Sequence, residues 1–207
     1  MKLQIAFDLT DLDKALQIAA QVADSADIFE VGSLLIYQYG SQAIHAFRTT
    51  FKDKIIVADA KIVDRGKDAT TIFSRAGADW ITVMAGTGKD VIHSVCLTAH
   101  ELNKKVMLDL IDSDSPGQSA LDAKSLGVDA IMFHKPFDDP ESFALLDKWD
   151  MVRGNTKLPI FISAKISRET IHDIMQLNPD GIIIGETITE AHDPALEAAF
   201  FYNLCCK

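Results

Sequence analysis

Lys54-Ile55-Ile56-Val57-Ala58-Asp59-Ala60-Lys61-Ile62-Val63-Asp64 is an apolar run that ends abruptly in charge. Ile55 to Ala58 has the composition of a buried strand. Strand alternation puts Asp59 and Lys61 on the same side of the backbone. Asp64 follows three residues later, on the turn beyond the strand. A lysine between two carboxylates keeps its charge, and a fixed cation suits a developing oxyanion or enolate. A lone Asp-x-Lys is read more simply as a salt bridge closing a strand, so its meaning depends on what surrounds it.

The same unit recurs outward in both directions. Eight short apolar runs, from Leu3–Phe7 to Gly181–Ile184, alternate with amphipathic stretches such as Leu12–Ala23 and Lys89–Leu102. Strands alternating with helices predict βα units and a parallel sheet. The odd-numbered runs each follow a lysine (Lys2, Lys54, Lys105 and Lys157), at spacings of 52, 51 and 52 residues. The even-numbered runs each follow an aspartate (Asp27, Asp79, Asp129 and Asp180), at spacings of 52, 50 and 51. Four equal βαβα quarters predict a single (β/α)8 TIM barrel of short form, one domain over residues 1–207. A doubly wound open sheet gives no reason for equal quarters.

With 48% hydrophobic and 24% charged residues, the chain has the composition of an ordinary globular protein. A net charge of -10 argues against nucleic acid or an anionic membrane as the main partner. It also requires that a phosphorylated substrate meet a local cation. Three cysteines, two of them adjacent (Cys205 and Cys206), form no disulfide framework. With no leader-like start and no apolar run of spanning length, the expectation is a cytoplasmic protein.

Barrel chemistry sits where strands run into the following loops. The run ends gather Asp8, Glu30, Asp59, Lys61, Asp109 and His134 at one opening. Several carboxylates facing one mouth repel each other unless cations intervene. Lys61 supplies one charge. A divalent ion on Glu30 and Asp59 supplies a second, and hard oxygen ligands suit Mg²⁺. His134, at a strand end, can exchange protons near neutral pH. The remaining histidines fall in helices or their flanks, where a structural or surface role is the simpler reading.

These residues carry a resemblance. Leu3–Asp8, Glu30-Val31-Gly32, Ala58–Asp64, Ala76–Asp79, Val106–Ile111 and Asp180–Gly185 resemble the orotidine 5′-phosphate decarboxylase suprafamily. Within it they resemble the branch of 3-hexulose-6-phosphate synthase and 3-keto-L-gulonate-6-phosphate decarboxylase. The resemblance implies a Mg²⁺-dependent lyase that forms an enediolate on a ketose phosphate. Glu30 and Asp59 would hold the metal, and Lys61 would stabilise the enediolate. His134 would move a proton at the reacting carbon. Asp8 and Asp109 would position substrate hydroxyls. Asp64 would reach into a partner's site, making the protein a homodimer with shared active sites.

The chain departs from that family at three loops. The family carries paired glycines for phosphate after the seventh and eighth strands. Here the seventh run ends Ser163-Ala164-Lys165 and the eighth ends Gly185-Glu186. Glu186 should repel a phosphate dianion, while Lys165 and the Gly185 backbone remain as substrate-binding groups. After His134 the chain reads Lys135-Pro136-Phe137-Asp138-Asp139, which matches neither subtype of the branch. The readings in play are an aldolase of the hexulose-phosphate synthase kind, a sugar-acid phosphate decarboxylase, and a barrel that has lost catalysis. The intact Asp59, Lys61, Asp64 and His134 favour an enzyme, and the missing decarboxylase arginines favour the aldolase.

Overall fold

The computed structural model describes residues 1–135 and 144–205. Eight parallel strands close into a barrel in chain order: β1 (Lys2–Phe7), β2 (Ile28–Val31), β3 (Ile55–Ile62), β4 (Trp80–Met84), β5 (Lys105–Asp109), β6 (Ala130–His134), β7 (Ile160–Ser163) and β8 (Gly181–Ile184). Between them run α1 (Leu12–Val22), α2 (Ser33–Tyr39), α3 (Ser41–Thr50), α4 (Gly66–Ala76), α5 (Lys89–Glu101), α6 (Pro116–Leu126), α7 (Ala144–Asn155), α8 (Ile171–Gln176), α9 (Glu186–Thr189) and α10 (Pro194–Cys205). The closed barrel is the fold that the four quarters predict. The loop motif from Pro136, the beginning of a further amphipathic stretch that starts at Pro140, and Cys206 lie outside the described residues.

Strand alternation divides the core in two. Outward residues such as Leu3, Ile5 and Phe7 pack against the helices. Inward residues such as Ala6, Val57, Met107 and Met132 fill the barrel. Phe161 occupies much of that interior because Gly181 lies opposite it: a Cβ at Gly181 would come within 2.4 Å of the Phe161 ring. On the outer layer Phe7, Phe29 and Phe47 meet at centroid distances of 5.2 to 6.4 Å, Phe7 and Phe29 edge to face.

The recurring aspartates have one job. Asp27, Asp79, Asp129 and Asp180 each accept a hydrogen bond through Oδ2 from the backbone of the preceding odd strand, at Leu3, Ile56, Val106 and Ile160, over 2.8 to 2.9 Å. Each aspartate returns its own N–H to the carbonyl of that same residue. A basic group completes each clamp: Lys2, Arg48, His100 and Arg153 respectively. The period of the sequence is therefore the period of a clamp at the N-terminal rim, opposite the chemistry.

Candidate active site

β3 does not run regularly to its end. Val57 and Ala58 pair with Trp80 and Ile81, but the next partner of β4, Val83, pairs with Ile62. The extra residues form a bulge, and within it Lys61 takes the left-handed region at φ 44. For a side chain with a Cβ this costs on the order of 1–2 kcal/mol. Thr82, fully buried on β4, offsets it. Its Oγ1 accepts the Lys61 N–H at 2.9 Å and donates to Asp59 Oδ1 at 3.0 Å. Ser33, the first residue of α2, donates to Asp59 Oδ2 at 2.6 Å. The bulge thus brings Asp59 and Lys61 into one mouth, with Lys61 Nζ 3.2 Å from Asp59 Oδ2.

Asp109 ends β5 and is completely buried. Its Oδ2 lies 2.8 Å from Lys61 Nζ and 3.0 Å from His134 Nδ1, and its Oδ1 accepts the Ile111 N–H at 3.0 Å. Burial pushes the Asp109 carboxyl up, but His134 and then Lys61 outweigh it and hold the group below the usual carboxylate range. Burial likewise pulls at the Lys61 ammonium, and Asp59 and Asp109 more than reverse it, so Lys61 stays charged.

Glu30 on β2 points into the same interior and is buried, with Oε2 accepting from Gln4 Nε2 at 2.5 Å. Burial, then the charges of Asp59 and Asp8, push its carboxyl well above the usual range. Asp8 follows β1 on the rim, with an outer face open to solvent. Burial of its inner face, then Asp59, raise it as well. Gly32 leaves room for it: a Cβ there would fall 2.1 Å from Asp8 Oδ1.

The other expected residues sit on the rim. Asp64 is exposed on the turn after β3 and accepts the Arg65 N–H at 2.7 Å. Lys165 is exposed on the loop after β7. Gly185 precedes α9, and Glu186 is exposed in its first turn. Thr187 Oγ1 donates to the Ile166 carbonyl at 2.7 Å and ties these two loops together. The sequence reading omits Gln4, Ser33 and Thr82, the neutral groups that hold the carboxylates. A polar residue at an inward position of an apolar strand is the signal that marks Gln4 and Thr82.

A closed parallel barrel whose mouth holds a buried carboxylate between a lysine and a histidine has the architecture of a TIM-barrel enzyme, with its polar groups where the strands run into the following loops. The chain belongs to the orotidine 5′-phosphate decarboxylase / HUMPS family, whose sequence model matches residues 1–200. It is 30% identical over 199 residues to 3-hexulose-6-phosphate synthase of Mycobacterium gastri, covering 96% of each chain. The crystal structure of 3-hexulose-6-phosphate synthase from Salmonella typhimurium superposes with a TM-score of 0.92 at 32% identity, over 100% of this chain and 99% of that one. That of 3-keto-L-gulonate-6-phosphate decarboxylase from Vibrio cholerae superposes with a TM-score of 0.83 at 27% identity, over 97% and 96%. The chain is an enzyme, a lyase like these relatives. No helix among the described residues is long and apolar enough to cross a membrane.

Proposed function

We propose that the chain is a Mg²⁺-dependent carbon–carbon lyase of the 3-hexulose-6-phosphate synthase kind, joining a ketose phosphate such as ribulose 5-phosphate to formaldehyde through an enediolate. The observation that carries this reading is Asp109, which holds a charged lysine and a histidine at fixed distances on one carboxylate. Asp109 Oδ2 engages His134 at Nδ1. That leaves Nε2 to take the proton from the carbon beside the ketose carbonyl. The C–H electron pair becomes the enediolate, whose oxygen the Lys61 ammonium stabilises. The nucleophilic carbon then bonds to formaldehyde, and the new alkoxide takes up a proton. Asp109 acts by positioning Lys61 and His134, and Asp8 lies on the rim where a substrate hydroxyl would meet it. Lys165 and the Gly185 backbone lie on the rim where the phosphate end would meet them.

The mouth fits a hard cation. Burial and the Asp59 charge raise the proton affinity of Asp8 and Glu30, and among the described residues Lys61 and His134 are the basic side chains bonded into the cluster. No three His, Cys, Asp or Glu side chains form a ready-made cage among the described residues. Glu30 and Asp59 would hold the ion by two carboxylates, with water completing its shell, the usual manner of Mg²⁺. Bound there, Mg²⁺ would supply Lewis-acid stabilisation of the enediolate oxygens.

The second reading, a sugar-acid phosphate decarboxylase, is favoured by the likeness to the Vibrio cholerae structure. It uses the same lysine and metal ligands, with loss of CO₂ in place of proton abstraction. A homodimer with shared sites is supported by the exposed apolar residues Leu34 and Tyr37 of α2 and by exposed Val63, which precedes Asp64 in the chain. A cytoplasmic location is consistent with the cysteine pattern.

Solvent exchange of the ribulose 5-phosphate C1 proton in D₂O, followed by NMR with Mg²⁺ and with chelator, tests the proposal. Mg²⁺-dependent exchange is expected, and no exchange under either condition would overturn it.

A further inference from the structure

Gln4 is an inward residue of β1, in register with Ile28 and Ile183, and is completely buried. Its Nε2 donates to Glu30 Oε2, while its Oε1 is buried with no hydrogen-bond partner among the described residues. An amide oxygen buried alone is costly, and a methionine would fill the same space without that cost. The amide must therefore do something that packing does not require.

Its target, Glu30, forms no ion pair among the described residues, although the Lys61 charge reaches it from a greater distance. Glu30 Oε2 is taken by Gln4, and Oε1 accepts no hydrogen bond among the described residues. Asp59 also accepts from neutral donors, the hydroxyls of Ser33 and Thr82, but Lys61 Nζ lies 3.2 Å from its Oδ2 as well. A lysine or arginine beside Glu30 would orient it equally well but would cancel its charge. A neutral donor fixes the carboxylate and leaves that charge for a cation.

We infer that Gln4 is a positioning residue for the cation site, holding Glu30 by one oxygen so that the other is presented to a divalent ion. The inference rests on the Mg²⁺ reading above. Outer groups of this kind set the orientation of metal ligands, and their loss weakens metal binding about 10–100-fold.

Mn²⁺ binding to the full chain, read from the loss of the free-ion EPR signal, tests it. Wild type should bind saturably and Glu30→Gln should not. Gln4→Met should raise the Kd about 10–100-fold, melt near the wild-type temperature in metal-free buffer, and recover kcat at saturating Mn²⁺. Absence of binding by wild type would overturn the Mg²⁺ reading itself. Wild-type binding with an unchanged Kd in Gln4→Met would overturn the role of Gln4 alone. If Gln4→Met does not fold, glutamine side-chain ¹⁵N resonances of the unaltered chain answer the same question. The buried amide signal should move with Mg²⁺ and saturate with binding, and a signal that stays put would overturn the role.

Discussion

The Lys61 ammonium lies 2.8 Å from Oδ2 of Asp109, a carboxylate with no exposed surface, although the two residues are 48 positions apart. A lysine held this way cannot lose its charge near neutral pH and cannot swing out of the mouth. Lys61→Met should therefore lower kcat by about 10²–10³-fold or more while the barrel stays folded. Steady-state condensation kinetics alongside circular dichroism check this. Retention of most activity would remove Lys61 from the mechanism.

His134 shares the same carboxylate. His134→Asn should slow substrate proton exchange in D₂O by about 10²–10⁴-fold and change the Kd for ribulose 5-phosphate much less. An unchanged exchange rate would place the base elsewhere.

Thr82 joins Asp59 to the Lys61 backbone through one hydroxyl. Thr82→Val keeps the shape but strands two polar partners, a loss of about 1–3 kcal/mol. A decrease in kcat of about tenfold is expected, and Thr82→Ser should restore it. Equal kinetics in the Val and Ser variants would show that the hydroxyl only fills space.

Asp109 carries a pH signature. Its carboxyl titrates below the ordinary value of 3.8 in the folded chain. The stability it contributes is therefore complete above that value and lost as pH falls through the lower, folded one. Asp109→Asn should cost about 3–5 kcal/mol at neutral pH, as for breaking other buried ion pairs. Urea unfolding of both proteins should show this gap constant above about pH 5 and narrowing below about pH 4. A gap that does not change with pH would mean that Asp109 is not ionised.

Glu186 opens α9, beside the loop that carries Lys165. One carboxylate about 4 Å from a phosphate in water opposes it by roughly 1 kcal/mol. Glu186→Gly should therefore tighten binding of inorganic phosphate or a sugar phosphate about fivefold, measured by calorimetry. Weaker binding would show that Glu186 recognises something other than phosphate.

The fold was legible because its signal is periodic. Lysine and aspartate recur at almost equal spacing, and the clamps that the aspartates build are local. The charged mouth was legible too, since Asp8, Glu30, Asp59, Lys61, Asp109 and His134 all stand at run ends. The bulge was not. Alternation alone places Asp59 and Lys61 on one side, but the left-handed turn at Lys61 arises from pairing with β4, and no local propensity marks it. Helices α2 and α9 escaped because seven and four residues hold too few turns to display a periodic face. Gln4 is hard to see because a single polar residue inside the apolar run Leu3–Phe7 leaves the strand pattern unchanged.

The aspartate clamps carry a consequence for how the chain assembles and changes. Each joins residues only 20 to 24 positions apart in sequence, so each closes within a single βαβ unit. Loop closure over so short a span costs little entropy, and short-range contacts form early on a folding route. The four quarters can thus find their own registers before the barrel shuts. The opposite rim carries none of these clamps, so its loops are free to exchange one substrate for another while the means of folding stays the same.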